Sequence, residues 1–149
     1  GYSSAASDVY KRQDYVVNLT KLKAGDTAYI ESEMARITDI CREFSVVSKV
    51  IFENCYLTED EKKTLCHIAT KVKPDFIKTS TGFGTGGATF EDVALMKRET
   101  EGSGVKIKAA GGIRTLKTAL EMINLGVSRI GSTSSVAIME EYMANSPLL

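Results

Sequence analysis

The sequence predicts an α/β protein: a parallel sheet with helices packed outside it. Two observations carry this. From Asp14 onward, short apolar, β-branched runs alternate with stretches whose apolar residues recur at helical spacing. Successive strand-like runs lie roughly 23–33 residues apart, the size of a strand–helix–strand unit. Five such units can be read between Asp14 and the C-terminus. Strands separated by helices pair in parallel and bury both faces. Periodicity alone leaves open whether the sheet is doubly wound or part of a closed barrel.

The elements follow in order. Tyr15 to Leu19 reads as a short strand. Asp26 can cap a helix with Ile30, Met34, Ile37 and Cys41 on one face. Val46 to Phe52 is a strand by its β-branched content. Thr58 and Glu61 form a capping-box pattern, and the helix they open carries Leu65, Ile68, Ala69 and Val72 inward until Pro74 stops it. Asp75 to Thr79 is the next strand. It is followed by a Gly-rich loop and a helix from about Thr89 with Val93 and Met96 inward. Val105 to Ala109 is a strand that ends at Gly111-Gly112. Thr115 caps a helix containing Ala119, Leu120 and Ile123, and Gly126 sits at the C′ position. Val127 to Gly131 is the last strand, and Val136 to Met143 the last helix.

Composition narrows the function classes. The chain has 149 residues, 43% hydrophobic and 26% charged, with 19 basic side chains against 19 acidic. That balance points away from nucleic acid and from anionic membranes. No apolar run approaches the ~20 residues that span a bilayer. Cys41, Cys55 and Cys66 are odd in number and form no C-x-x-C pair, so neither a disulfide framework nor a zinc site is expected, and a cytoplasmic, reducing setting fits best. Residues 1–13 (GYSSAASDVYKRQ) are rich in Ser and Ala without apolar periodicity. They are expected to be a non-native or disordered segment, with 14–149 the folded domain.

Two lysines stand out. Lys78 ends the strand Phe76-Ile77-Lys78, and Lys108 ends the next one at an equivalent position. Strand ends of adjacent parallel units share one face of the sheet, where active sites form. An ammonium group there is costly to desolvate, and a second beside it lowers the pKa of the more desolvated one. That is one way to prepare an amine for Schiff-base formation. Taken alone, Lys78 is better read as snorkelling to the rim; Lys108 beside it shifts the reading toward chemistry. Lys106 has no assigned role. Asp14 opens the first strand and, if that strand lines a barrel, can serve as a proton relay.

Three segments rich in Gly, Ser and Thr follow successive strands: Thr79 to Gly87, Gly111-Gly112, and Gly131 to Ser135. Glycines let backbone N–H groups approach a phosphate, and helix N-termini favour anions. His67, the only histidine, falls inside a helix and is expected to be structural. Without further imidazoles, a metal centre built on histidine ligands is disfavoured. Glu53, at the end of the second strand, is expected to orient its neighbours.

These segments resemble one family. Lys49-Val50-Ile51-Phe52-Glu53, Asp75 to Phe83, Gly86-Gly87-Ala88-Thr89, Lys108-Ala109-Ala110-Gly111-Gly112-Ile113-Arg114-Thr115 and Arg129-Ile130-Gly131 look like deoxyribose-phosphate aldolase. The likeness runs from about Asp14 to the last helix. It implies a (β/α)₈ TIM barrel of which this chain holds about five β-α units, strands four to eight. It implies the reversible aldol cleavage of 2-deoxy-D-ribose 5-phosphate, without metal or organic cofactor. Its partner would be a small sugar phosphate rather than nucleic acid or membrane, and a homo-oligomer is compatible with it. By motif, Lys78 would be the Schiff-base lysine, Lys108 the lysine that tunes it, and Asp14 the proton relay. Gly82, Gly111, Gly112, Thr133 and Ser134 would bind the substrate phosphate. Ser132-Thr133-Ser134 replaces the family's more usual Thr-Ser-Ser or Ala-Ser-Ser. The competing expectations are an inactive barrel fragment and another phosphate-binding barrel enzyme.

Overall fold

The computed structural model describes residues 12–145. Strand β1 spans Arg12–Val16, β2 Val47–Ile51, β3 Phe76–Lys78, β4 Lys106–Ala110 and β5 Arg129–Gly131. Between them lie α1 (Leu19–Lys23), α2 (Thr27–Glu43), α3 (Glu59–Val72), α4 (Phe90–Glu99) and α5 (Leu116–Asn124), and α6 (Ser135–Ala144) follows β5. A single 3₁₀ turn covers Asn54–Tyr56.

All four pairings are parallel, and the strands lie in sequential order β1-β2-β3-β4-β5. That order answers the question that periodicity left open. A doubly wound sheet reverses its strand order at a switch point. Here each strand pairs with the one before it, the winding of a (β/α)₈ barrel, of which these are five consecutive units.

Local signals fix the helix ends much as the sequence predicts. Asp26 accepts the Tyr29 N–H at 3.1 Å. Thr58 and Glu61 complete a reciprocal capping box, with bonds of 3.2 and 2.8 Å. Thr89 and Thr115 cap α4 and α5 by accepting the N–H groups of Asp92 and Thr118. Lys73 closes α3 in the left-handed region (φ 62), just before Pro74.

Three expectations need correction. Strand β1 runs from Arg12 to Val16, not from Tyr15 to Leu19. Arg12 and Gln13, placed with the N-terminal segment, pair with Val47 and Ser48; residues 1–11 of that segment lie outside the described residues. The strand stops early because Asn18 accepts the Lys21 N–H at 3.0 Å and caps the short helix α1. On α2, Thr38 rather than Ile37 completes the buried stripe with Ile30, Met34 and Cys41. On α5, Ala119 and Met122 are buried while Leu120 and Ile123 are about half exposed.

The core lies between the sheet and the helices. Val17, Val50, Phe52, Ile77, Ile107 and Ala109 face Ile30, Met34, Leu65, Ala69, Val93, Met96 and Met122. At about 25 cal/mol per Å² of apolar surface removed from water, this layer supplies most of the stabilisation. Below the rim, Asp75 accepts the Ser48 N–H at 2.9 Å and donates its own N–H to Ser48 Oγ at 3.0 Å, locking the starts of β2 and β3 together.

Candidate active site

Side chains alternate across a strand, so residues two apart share a face. One face of this sheet carries the core. The other carries Arg12, Asp14, Lys49, Phe76, Lys78, Lys106, Lys108 and Arg129, brought alongside one another by the register. Lys78 pairs in register with Lys108, as the equivalent strand positions require. Thr79 sets that alignment beyond the strands: its hydroxyl donates to the Ala110 carbonyl at 3.2 Å and accepts the Ala110 N–H at 3.1 Å.

Lys78 Nζ lies 3.8 Å from Asp14 Oδ2, with the lysine side chain 13% exposed and the aspartate 32%. The expected lysine, lysine and aspartate therefore meet on one face. The pKa of Lys108 is brought down to about 8, first by burial and then by the charges of Lys49 and Lys78. Gly131 makes room for that amine. A Cβ there would meet Lys108 Cε and Ala110 Cβ, each at 3.2 Å.

Beside Lys78 opens a cavity of about 410 Å³. Its walls include Lys78, Gly82, Gly111, Gly112 and Thr133, together with Thr81, Arg114 and Ser132. The three Gly/Ser/Thr segments thus converge on one space. Close backbone contact holds two of them together: Ala88 donates its N–H to the Ala110 and Gly111 carbonyls, each at 3.0 Å. A Cβ on Gly87 would fall 2.3 Å from the Gly111 oxygen, so no side chain fits at that crossing. Ser132 donates its hydroxyl to the Ile113 carbonyl and accepts the Ser134 N–H at 2.9 Å. Ser134 itself is the N-cap residue of α6 and does not line the cavity. A guanidinium, backbone N–H groups from glycine turns and hydroxyls are the donors that hold a phosphate.

Two residues escaped the sequence reading. Arg114, quoted only within its motif, adds a cation to the cavity wall. Lys49 is fully buried, and its Nζ has no hydrogen-bond partner among the described residues. It lies 5.5 Å from the centre of the Phe76 ring, which Lys106 and Arg129 also approach, at 5.7 and 4.9 Å. Burial lowers the Lys49 pKa against the opposing pull of Asp14. A lysine in mid-strand, within Val47-Ser48-Lys49-Val50-Ile51, was the available signal. Elsewhere His67 is an exposed helix residue, with Nε2 2.8 Å from Glu99 Oε2, in keeping with a structural role. Among the described residues no cluster of His, Cys, Asp or Glu could hold a metal ion. None of the described helices is long and apolar enough to cross a membrane.

The winding defines a class: part of a (β/α)₈ barrel, with paired lysines at its strand ends beside the cavity. The comparisons narrow it. The chain is 56% identical over 127 residues to a deoxyribose-phosphate aldolase of Lactobacillus acidophilus, covering 85% of this chain and 53% of that one. A Thermococcus kodakarensis deoxyribose-phosphate aldolase is 48% identical over 136 residues, 91% of this chain and 60% of that one. Among solved structures, one described as "QR15, an Aldolase" superposes with a TM-score of 0.83 at 41% identity, covering 93% of this chain and 62% of that chain. The deoxyribose phosphate aldolase of Aeropyrum pernix, described as tetrameric, gives 0.78 at 26% identity, with 91% and 56% covered. No protein-family model matches. The chain is thus related by descent to the deoxyribose-phosphate aldolases, and it spans about half the length of the curated relatives it matches.

Proposed function

We propose that this chain carries the amine site and phosphate cradle of a class I aldolase. The reaction is the reversible cleavage of 2-deoxy-D-ribose 5-phosphate to D-glyceraldehyde 3-phosphate and acetaldehyde, a step of deoxyribonucleotide catabolism. The observation that carries the reading is the meeting of Lys78, Lys108 and Asp14 on one face beside the Gly- and hydroxyl-lined cavity.

In this reading Lys78, as the neutral amine, attacks the C1 aldehyde. The carbinolamine loses water to give an iminium. The C2–C3 bond then breaks and its electron pair flows into the iminium, leaving an enamine on Lys78. The C3 hydroxyl proton passes to Asp14, by way of Lys108 and a water molecule. Glyceraldehyde 3-phosphate departs, held until then by Gly82, Gly111, Gly112 and Thr133, with Arg114 on the cavity wall. Protonation of the enamine at C2 and hydrolysis release acetaldehyde and restore Lys78. General acid–base help of this kind contributes roughly 10²–10⁴-fold.

A second reading has one observation in its favour: the Lys108 pKa is lowered to about 8, by burial first, which makes its own amine available in neutral form at mildly alkaline pH. The same experiment separates the two. In a full-length barrel carrying these residues, borohydride added with acetaldehyde should reduce the iminium to a stable secondary amine. The adduct should map to the peptide containing Phe76-Ile77-Lys78-Thr79. An adduct on Lys108 would exchange the two assignments. The absence of any lysine adduct in an active enzyme would end the Schiff-base reading.

A further inference from the structure

Glu53 occupies an unusual place. It follows β2 with φ 58 and ψ 58, in the left-handed region that a long L side chain rarely adopts. Backbone bonds clamp it on both sides to the end of β3: Phe52 N–H donates to the Lys78 carbonyl at 2.9 Å, and Asn54 N–H to the Thr79 carbonyl at 3.0 Å. Its side chain is only 5% exposed in total residue terms, a burial that carboxylates seldom show without partners. Those partners are both on Thr81: its N–H donates to Oε1 at 3.0 Å, and its hydroxyl donates to Oε2. Thr81 Oγ1 in turn accepts the Phe83 N–H at 3.0 Å. One carboxylate thereby fixes three consecutive residues, with Gly82 in the middle.

We propose that Glu53 is a positioning residue that holds the Thr81-Gly82-Phe83 turn so that Gly82 faces the phosphate group of the substrate. Glu53 does not line the cavity; Thr81 and Gly82 do. The turn follows Lys78 by only a few residues, yet the far end of the same loop is pinned separately, by Ala88 on Ala110 and Gly111. Without Glu53, the Phe83–Thr81 bond would be the one hydrogen bond left to hold the Thr81-Gly82-Phe83 turn among the described residues. A strained backbone retained around a buried carboxylate fits a residue kept for what its side chain holds. The loss should therefore appear in phosphate recognition and spare the amine chemistry.

The inference rests on the phosphate reading of the cavity, and the test keeps the two apart. In a full-length barrel carrying these residues, 2-deoxyribose 5-phosphate and unphosphorylated 2-deoxyribose are compared as substrates. Glu53→Gly suits the left-handed backbone and removes the carboxylate together with its two methylenes. It should raise KM for the phosphorylated sugar about tenfold or more, the loss expected when charge-assisted hydrogen bonds go. Its kcat/KM for the unphosphorylated sugar should stay within about twofold. Glu53→Gln, which can still accept the Thr81 N–H, should recover most of the loss. Thr81→Val reads the same ratio from the other partner and serves if Glu53→Gly does not fold. An equal fall on both sugars, or an unchanged ratio, overturns the role of Glu53. An unaltered protein with no preference for the phosphorylated sugar would instead remove the phosphate site itself.

Discussion

The two faces of this one sheet differ more than any two elements of the molecule. On the helix side, Val50, Ile77, Ile107 and Ala109 follow one another across the three strands β2, β3 and β4, each no more than 1% exposed. On the opposite side the same strands present Lys49, Lys78, Lys106 and Lys108, with Arg129 on β5 and the Asp14 carboxylate on β1 flanking them. Because side chains alternate along a strand, stability and chemistry are carried by adjacent residues that never touch. Ile77 and Lys78 are neighbours in sequence, yet one serves the core and the other the site. Substitutions one residue apart should therefore have opposite signatures.

The largest effect is expected at Lys78. Arginine keeps the positive charge but cannot form an imine, so Lys78→Arg should abolish both borohydride trapping and turnover in a full-length barrel carrying these residues. Its thermal midpoint should move little. A large drop in stability with some activity left would contradict the division between the faces.

Next comes the core side. Ile107→Ala leaves a cavity under α4 and should cost about 2–5 kcal/mol in denaturant unfolding. Lys106→Ala, one residue earlier, loses a solvent-exposed approach to Phe76 and should cost less than about 1 kcal/mol. Equal losses at the two positions would show that the faces are not energetically distinct.

A smaller effect comes from Lys49. It is the leading charged contributor, after burial, to the low pKa of Lys108. Lys49→Met should raise that pKa from about 8 toward the ordinary lysine value, readable by NMR titration of the lysine ε-methylene groups. The sign for stability follows from linkage. Between about 8 and the unperturbed value of 10.5 the unfolded chain binds the proton that folded Lys108 has lost, so stability rises with pH across that window. Lys108→Met should flatten the rise, and Lys49→Met should move it upward. A rise unchanged in both variants would detach it from Lys108.

These faces were unequally legible in the sequence. The strand–helix alternation, the capping residues Asp26, Thr58 and Thr115, and the equivalence of Lys78 and Lys108 are local or periodic signals, and they led to the right elements. Sequential strand order is not local, so the barrel winding needed either coordinates or the family resemblance. Asn18 was missed as a cap because the run Tyr15 to Leu19 looks like an uninterrupted strand. Lys49 was missed because a charged residue inside an apolar strand acquires meaning only from its neighbours across the sheet. Arg114 needed the fold in the same way, since its proximity to Gly82 and Thr133 arises from three separate loops.

The smallest effect tests how finely the charged face is packed. Gly131 lies at the end of β5, where a methyl group would sit 3.2 Å from both Lys108 Cε and Ala110 Cβ. Neither contact involves backbone, and the lysine chain is flexible, so Gly131→Ala should fold with a change within about 1 kcal/mol. Relieving the contact requires Lys108 to retreat by a few tenths of an ångström. Since Lys108 is read as a link between Asp14 and the substrate hydroxyl, that retreat should lower kcat about threefold while KM for the phosphorylated sugar stays unchanged, because small errors in reacting geometry fall on the chemical step. The pairing with Glu53→Gly sharpens the contrast within the site. One substitution should move KM through the phosphate cradle, and the other should move kcat through the amine. If Gly131→Ala raised KM and left kcat alone, the glycine would belong to the phosphate side of the cavity, and the space it leaves beside Lys108 would have no part in the chemistry.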